Sequence, residues 1–306
     1  MTYCIGVRLD RGLVFMSDTR TNAGLDNVST FRKMHCWEVP GERAITLMTA
    51  GNLATTQAVI SLLEERTKAP ADRVPTILSA PSMFEVANIV ASTLREVIKN
   101  LVECGQQADN AFNGTLILGG QIADSVTRLF LIYPEGNFIE AGDETPFFQI
   151  GDTKYGRPIL VRAYDRGMSF EAAVKMMLLS FDSTIKANLS VGPPIDLQIY
   201  AEGELVLGPS RRFEADDAYF LEISEGWGTA LKQAVDSLPD FSLDRKLKPP
   251  EKMAAADCFA NVKVSASRTF CAFVLRRLIR TPKAFEIVAR SATVNSSQLR
   301  LPARRS

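Results

Sequence analysis

The residue that follows the first methionine is a threonine, in the stretch MTYCIG. We expect the methionine to be removed because the second residue is small, which leaves Thr2 with a hydroxyl and a free α-amine on adjacent carbons. An α-amine has an unperturbed pKa of roughly 8, so this one residue holds both a nucleophile and a base. The chain has a single histidine, His35, which argues against a Ser–His–Asp triad and against a histidine-rich metal site. The sequence therefore favours an N-terminal nucleophile.

A nucleophile of this kind needs a cation that lowers the pKa of its groups, a carboxylate that holds the cation, and a donor for the oxyanion. Asp18, Lys33 and Gly51 supply these groups in chain order. Gly51 lies where a strand-like run gives way to a helical pattern, a position that exposes a backbone N–H. Taken singly, each residue is more typical of an ordinary surface carboxylate, a solvated lysine or a turn glycine. Their order behind Thr2 indicates a catalytic set.

Two hairpins must position these groups. Apolar runs over residues 2–9 and 12–18 are joined by a turn containing Gly12, which predicts a hairpin that returns Asp18 to the side of Thr2. Residues 31–39 and 43–51 predict a second hairpin. Lys33 then begins one of its strands and Gly51 ends the other.

The rest of the pattern predicts an α+β fold. Asn52 is placed to cap a helix ending near Arg66, and Ser82, with Glu85 three residues on, to cap a helix ending near Val102. Runs of strands that alternate with runs of helices indicate two antiparallel sheets covered by helix pairs. The further predicted strands cover residues 114–120, 128–133, 137–142, 195–200 and 204–208, and the further predicted helices cover residues 153–163, 169–188 and 215–237.

Composition narrows the class of protein. The chain has 306 residues, of which 46% are hydrophobic and 23% charged, values typical of a soluble globular protein with a sizeable core. No apolar run approaches the roughly 20 residues that span a bilayer, and Arg8 and Asp10 interrupt any secretory signal. Five cysteines without a CxxC pair predict reduced thiols and a cytoplasmic location. Neither a cofactor nor a metal ion is predicted, and no membrane association.

Charge is distributed unevenly. Residues 241–306 carry fourteen Lys and Arg against four Asp and Glu, a net charge of +10, although the whole chain is neutral. This shift predicts a domain over residues 1–240 and a basic C-terminal extension over residues 241–306. The extension is either solvated and poorly ordered, or it forms in CAFVLRRLIR an amphipathic helix that docks on a neighbour. Its basic clusters are short and have few aromatic residues, so nucleic-acid binding is not predicted.

Several motifs together resemble one family. These are SDTR at 17–20, FRKM at 31–34, TAGNLA at 49–54, YPEGNFIEAG at 133–142, FFQIGDTKYGRPIL at 147–160 and the segment at 171–197. The combination resembles the proteasome-type N-terminal nucleophile hydrolases, and within them the bacterial Anbu group, over about residues 2–240. The resemblance implies a four-layer αββα sandwich and a homo-oligomer, either a ring or an open helical ring.

The resemblance also implies a role for each residue. Thr2 is the nucleophile and its α-amine the general base, Asp18 orients Lys33, and Lys33 lowers the pKa at the nucleophile. The N–H of Gly51 stabilises the tetrahedral intermediate. The activity implied is that of a threonine endopeptidase acting on peptides or unfolded proteins.

The chain departs from the family at two positions, Asp152 and Asn188. Asp152 stands where proteasome β-subunits have the serine of a GSG turn, and Asn188 and Ser190 stand where they have an aspartate and a serine that order the N-terminus. A carboxylate at residue 152 raises the pKa of a nearby α-amine, which makes the amine a poorer base at neutral pH. Asparagine at 188 supplies no charge.

Two alternatives remain open at this point. The chain could be a weakly active or non-catalytic ring-forming subunit, or an amidase of small molecules on the same fold. The sequence has no glycine-rich phosphate loop, so any ATP-driven unfolding of substrates needs a separate ATPase partner.

Overall fold

The computed structural model describes residues 2–22, 28–68, 75–104 and 112–241. The chain divides into two units, Met1–Pro239 and Asp240–Ser306, and every helix and strand of the described residues lies in the first. Apart from Phe241, the predicted basic extension lies outside the described residues.

Twelve strands and five helices make up the described part of the chain. The strands are β1 (Tyr3–Leu9), β2 (Gly12–Asp18), β3 (Arg20–Asn22), β4 (Val28–Thr30), β5 (Met34–Val39), β6 (Arg43–Gly51), β7 (Gly114–Ile122), β8 (Arg128–Ile132), β9 (Phe138–Glu140), β10 (Phe147–Gly151), β11 (Ile195–Ala201) and β12 (Ser210–Phe213). The helices are α1 (Leu53–Thr67), α2 (Met83–Cys104), α3 (Arg157–Ala163), α4 (Phe170–Ala187) and α5 (Ala218–Asp236).

The strands form two five-stranded antiparallel sheets. The first sheet has the order β10-β1-β2-β11-β12 and the second has the order β5-β6-β7-β8-β9, while β3 and β4 form a separate short hairpin. In the first sheet Cys4 lies opposite Ser17, and Tyr3 lies opposite Gly151. The start of β1 therefore lies between the end of β2 and the end of β10.

Three apolar clusters show that the elements stack in four layers. Val14 and Met16 of β2 pack in a cluster with residues of α3, α4 and α5, whereas Leu13 and Phe15 of the same strand pack against the second sheet. This alternation is what a strand buried on both faces requires. The third cluster joins α1 and α2 to the outer face of the second sheet. The predicted α+β sandwich, with an αββα order of layers, is confirmed.

The predicted helix caps of α1 and α2 are present. The Asn52 side chain accepts a hydrogen bond from the N–H of Thr55 at 3.1 Å, and the Ser82 hydroxyl accepts one from Glu85 at 3.2 Å. The helix predicted over residues 153–163 begins only at Arg157. Proline lacks a backbone N–H and is tolerated only in the first turn of a helix, so a helix that contains Pro158 has to begin close to it.

Two predictions about strands were wrong. Residues 204–208 do not form a strand: Leu205 has a φ of +51°, and its carbonyl accepts a hydrogen bond from Gly41 at 3.0 Å, outside any ladder. The partner of β11 is β12 instead, with Ile195 opposite Phe213. The prediction also missed β10, a five-residue strand whose partner β1 is distant in sequence.

No helix in the described ranges is long and apolar enough to cross a membrane.

Candidate active site

The end of β10 holds the backbone of Thr2. The N–H of Asp152 donates to the Thr2 carbonyl at 2.7 Å. Gly151 has a φ of +85°, and a Cβ at this position would lie 1.8 Å from the same carbonyl oxygen. Only glycine permits this approach, so Gly151 fixes the residue from which the strand begins. The Thr2 side chain itself is half-buried.

Asp18 connects the start of β1 to Lys33. Its Oδ1 atom accepts a hydrogen bond from the Tyr3 N–H at 2.9 Å and a second from the Lys33 ammonium at 2.7 Å. Both side chains are buried, Asp18 completely and Lys33 to within 4% of its surface. The ammonium also donates to the Arg20 carbonyl at 2.6 Å. These bonds hold one cation and one carboxylate at the residue next to Thr2.

The pKa of the Asp18 carboxyl is subject to two opposed effects. Burial raises the pKa of the Asp18 carboxyl, and the charge of Lys33, its hydrogen bond and the Tyr3 N–H act in the opposite direction. Asp18 Oδ2 is buried and has no hydrogen-bond partner among the described residues. Because removing both charges from water is costly, the pair depends on its short internal contacts.

Gly51 is the last residue of β6, and the ladder sets the direction of its N–H. The Thr49 N–H donates to the Lys33 carbonyl at 2.9 Å, and the N–H of Asn52 donates to Asn113 on the opposite side at 2.9 Å. Alternate residues of an antiparallel strand direct their N–H groups to the same neighbour. The Gly51 N–H therefore points to the same side of β6 as the Thr49 N–H. It lies two residues beyond the last hydrogen bond between β6 and the chain that carries Lys33.

Asp152, Asn188 and Ser190 form a chain of hydrogen bonds behind Thr2. The Asn188 side-chain NH₂ donates to Asp152 Oδ2, and Asn188 Oδ1 accepts from the Ser190 N–H at 2.9 Å. Asp152 is buried, and Asn188 ends α4 as its C-cap. Within the described residues, Asn188 and Ser190 reach Thr2 only through Asp152. The structure thus brings Asp18 and Lys33 to the residue after Thr2, and Asp152, Asn188 and Ser190 to the Thr2 carbonyl. Gly51 lies at the end of β6, two residues beyond the bond between Thr49 and Lys33.

A buried polar network lies behind Tyr3, and no sequence pattern had indicated it. The Tyr3 hydroxyl contacts Ser180 Oγ at 2.7 Å and accepts from the Gln149 side chain. Ser180 Oγ donates to the Gly156 carbonyl at 2.9 Å, so the Tyr3 hydroxyl must donate to Ser180. Burial raises the pKa of Tyr3 to about 12, which keeps the phenol neutral. The network ties the strand that carries Thr2 to α4.

Three further groups shape the site, and none of them is a functional side chain. These are the Tyr3 N–H, the Arg20 carbonyl and the hydrogen atoms of Gly151. Residue type does not identify a contributing N–H or carbonyl. The only sequence signals were the position of Arg20 in SDTR and that of Gly151 in IGDT.

A cavity lies between α1 and the strands β5 and β6. It has a volume of about 360 Å³, and Thr49 and Arg32, which line it, are close in sequence to Gly51 and Lys33 respectively. Phe31, Leu53 and Ile60 give it an apolar wall, and His35, Gln57 and Ser61 give it polar groups. Its size falls in the range of ligand pockets.

Comparison with known proteins gives a consistent result. A family model described as proteasome subunit matches residues 2–199. The solved structure of Anbu from Hyphomicrobium sp. strain MC1 is 48% identical, and the alignment covers 79% of this chain and 100% of that one with a TM-score of 0.74. A search of curated proteins found no match.

Two further solved structures are similar over the same part of the chain. Anbu (ancestral beta-subunit) from Yersinia bercovieri is 45% identical, and the alignment covers 79% of this chain and 100% of that one with a TM-score of 0.74. A structure described as the helical assembly of the Anbu complex from Pseudomonas aeruginosa is 43% identical, with coverage of 79% and 99% and a TM-score of 0.74.

Proposed function

Because the chain belongs to the proteasome subunit family and, within it, to the Anbu group, we propose that it is a threonine peptidase whose nucleophile is Thr2, exposed by removal of Met1. The observation that carries this proposal is the shared oxygen of Asp18, which binds the Lys33 ammonium and the N–H of the residue after Thr2. A purely architectural subunit has no need of a buried cation at that place.

The chemistry follows from the groups present. The Thr2 hydroxyl attacks the substrate carbonyl, and its proton passes to the α-amine of the same residue. The oxyanion that forms accepts a hydrogen bond from the Gly51 N–H. The C–N bond then breaks, and the leaving amine takes the proton from the α-ammonium. Water, deprotonated by the α-amine, hydrolyses the ester left on Thr2.

Lys33 acts through its charge. A fixed cation favours the neutral amine and the developing alkoxide, and so lowers the pKa of both groups. Three short contacts fix the cation, since Lys33 is bound by Asp18 and by the Arg20 carbonyl, while Asp18 is bound by Tyr3. We assign Lys33 to tuning the pKa of Thr2 and Asp18 to positioning Lys33.

The cavity of about 360 Å³ beside Gly51 supports a peptide as the substrate. Thr49 and Leu53, which line the cavity, flank Gly51 in sequence, so we assign the cavity to a side chain that flanks the scissile peptide bond. Its mixed lining, with Phe31 and Leu53 against His35 and Gln57, accommodates an apolar side chain with a polar end. The proposed substrates are peptides or unfolded proteins, whose extended chains reach a half-buried residue such as Thr2.

The assembly proposed for the chain is a homo-oligomer, either a ring or an open helical ring. It is supported by the similarity to the Pseudomonas aeruginosa Anbu structure described as a helical assembly. We further propose a cytoplasmic location, and a separate ATPase wherever folded substrates are to be unfolded. The basic segment 241–306 is proposed to be an extension of the catalytic domain.

A second candidate function, a weakly active ring-forming subunit, is favoured by one observation. The backbone N–H of Asp152 donates to the Thr2 carbonyl, and the carboxylate of the same residue is buried, so a negative charge lies one residue's length from Thr2. A negative charge close to the α-amine stabilises the ammonium, which cannot act as a base.

The test is the hydrolysis of short fluorogenic peptide amides by the natural chain and two variants. Thr2→Ala removes the hydroxyl while leaving a small residue that still permits removal of Met1, so it is the matched control. We expect turnover by the natural chain, none above background by Thr2→Ala, and reduced turnover by Thr2→Ser. Intact mass must first verify the loss of Met1 in each protein. Equal rates for the natural chain and Thr2→Ala would contradict the proposal.

A further inference from the structure

A second cavity, distinct from the one beside Gly51, lies on the flank of the sandwich where β5 and β12 are the edge strands. Its volume is about 480 Å³. One wall is formed by Met34 and Cys36 of β5, and the other by residues of β11 and β12. We call this cavity the flank groove. The proposed peptidase mechanism makes no use of it.

The edge strand β5 turns unpaired backbone groups toward the groove. Thr49 donates to the Lys33 carbonyl across β5 and β6, so residues 33, 35 and 37 face β6 with their backbone groups. The N–H and C=O groups of Met34 and Cys36 therefore point outward, away from β6. No strand of the described residues pairs with this side of β5.

The opposite wall, formed by β12, also turns unpaired backbone groups outward. Ile199 donates to the Pro209 carbonyl, so residues 209, 211 and 213 face β11 with their backbone groups. Those of Ser210 and Arg212 then point outward. Two open strand edges thus border one groove, an arrangement that accepts a further strand.

The far end of the groove is closed. The Leu207 N–H donates to Glu38 Oε2 at 2.7 Å, and the Gly41 N–H donates to the Leu205 carbonyl at 3.0 Å. These two bonds attach the loop between β11 and β12 to the β5–β6 hairpin. The other end lies at Arg32, which lines both cavities.

The charge of the lining is positive. Three arginines, Arg32, Arg211 and Arg212, are opposed by one aspartate, Asp196. Arg212 binds Asp196 through two nitrogens at 2.7 and 2.9 Å, and Arg211 binds Asp217 at 2.8 Å. Arg32 is exposed and has no ion-pair partner among the described residues. A carboxylate bound in the groove can pair with Arg32 and competes with Asp196 for Arg212.

From these features we propose that the flank groove binds a short acidic peptide in extended conformation, added as a strand to β5. Backbone hydrogen bonds to Met34 and Cys36 supply the sequence-independent part of the affinity, and Arg32 and Arg212 select acidic side chains. The site is independent of hydrolysis, so its failure and that of the proposed peptidase activity are separable.

The experiment measures fluorescence anisotropy with the full chain carrying Thr2→Ala, so that the probe is not cleaved. The probe is a six-residue peptide of alternating Glu and Val that carries an uncharged dye, and the control peptide has Lys in place of Glu. On this background, Arg212→Gln and Arg32→Gln should each weaken binding by about fivefold or more, since each removes a charge-assisted contact. Asp196→Asn should tighten binding, because it frees Arg212 from its competitor. Arg162→Gln, an exposed arginine on α3, is the matched control and should change nothing.

Strand addition has its own readout. Two versions of the probe, methylated on alternate sets of backbone nitrogens, should differ in affinity by about fivefold or more, because only one set faces β5. Equal affinity of these two versions, or equal binding of the Glu and Lys peptides, would overturn the proposal. Weakening by Arg32→Gln alone would also overturn it, because the peptide would then occupy the cavity beside Gly51. Absence of peptide binding, with a changed oligomer mass for Arg212→Gln, would overturn it as well and assign the groove to a second copy of the chain.

Discussion

The Lys33 ammonium lies 2.7 Å from Asp18 Oδ1, and the same oxygen accepts the N–H of Tyr3 at 2.9 Å. One carboxylate oxygen thus fixes a buried cation and the backbone next to Thr2 in a single arrangement. The position of the cation relative to residue 2 does not depend on a flexible lysine chain, because Lys33 is only 4% exposed and is also held by Arg20. Such fixed charge is what a nucleophile with its own amine as base requires.

Breaking this pair should be costly in stability. We expect Lys33→Met to lower the free energy of unfolding by about 3–5 kcal/mol, because it leaves the Asp18 carboxylate buried without a partner. The double variant Asp18→Asn, Lys33→Met should be more stable than Lys33→Met alone, since no charge is then left buried. Urea unfolding followed by circular dichroism measures both. Lys68→Met, which breaks the exposed pair with Glu65, is the control and should cost less than about 1 kcal/mol. A Lys33→Met cost as small as that of the control would show that the buried pair contributes little.

Gly151 should be indispensable for the position of Thr2. Gly151→Ala places a Cβ 1.8 Å from the Thr2 carbonyl oxygen, so the start of β1 must move and the reactivity of Thr2 should fall at least tenfold. Gly203→Ala is a closely matched control, because Gly203 has a φ of +86° against +85° and nothing lies within 4 Å of its added Cβ. Both variants carry the strain of a left-handed alanine, and only the first should lose labelling by a threonine-directed epoxyketone. Equal labelling of the two variants would mean that the approach of Gly151 to Thr2 is not required.

Asp152 should set the pH at which Thr2 becomes reactive. Asp152→Asn keeps an oxygen that can accept from Asn188, and its backbone N–H to Thr2, but removes the negative charge. We expect the pKa of the α-amine to fall, so that the rise in epoxyketone labelling rate with pH moves to lower pH by about one unit. The rate is measured by mass spectrometry from pH 6 to pH 9. An unchanged pH dependence of the labelling rate would show that the charge of Asp152 does not weaken Thr2.

His35 should make the protein less stable in mild acid. Burial lowers the pKa of His35 below its ordinary value of 6.5, assisted by the charge of Arg32 and opposed by that of Glu64. Below pH 6.5 the unfolded chain therefore binds more protons at this residue than the folded chain. Its contribution to stability is complete above pH 6.5 and is lost as the pH falls toward the folded pKa, with a slope of at most about 1.4 kcal/mol per pH unit. His35→Gln should show a smaller loss of stability between pH 7 and pH 5 in urea unfolding. Parallel curves for the two proteins would contradict this assignment.

The sequence predicted well those features that depend on neighbouring residues. The hairpin of β1 and β2 consists of two short apolar runs joined by a glycine turn, and it returns Asp18 to the start of β1 as expected. The caps at Asn52 and Ser82 were equally local signals. The order of the elements predicted two antiparallel sheets covered by helix pairs, and the αββα order of the layers came from the family resemblance.

Features that depend on distant residues escaped prediction. The pairing of β10 with β1 joins residues about 145 positions apart, and no local pattern in FFQIG reveals it. The need for glycine at 151 arises only from that pairing. Residues 204–208 contain a strand-like apolar run, but the bonds of Leu205 and Leu207 to the β5–β6 hairpin and to Glu38 hold them in a bridging loop. Tertiary hydrogen bonds there outweigh local propensity.

The most direct test of the central claim is tandem mass spectrometry of the N-terminal peptide after treatment with a peptide epoxyketone. This reagent reacts with a hydroxyl and an α-amine on adjacent carbons, so a six-membered ring adduct requires both groups of one residue to be free. We predict a single adduct on a peptide that begins at Thr2, absent from Thr2→Ala and strongly reduced in Lys33→Met. A chain that has lost Met1, retains its fold and forms no adduct at any pH from 6 to 9 would contradict the assignment of Thr2 as the nucleophile.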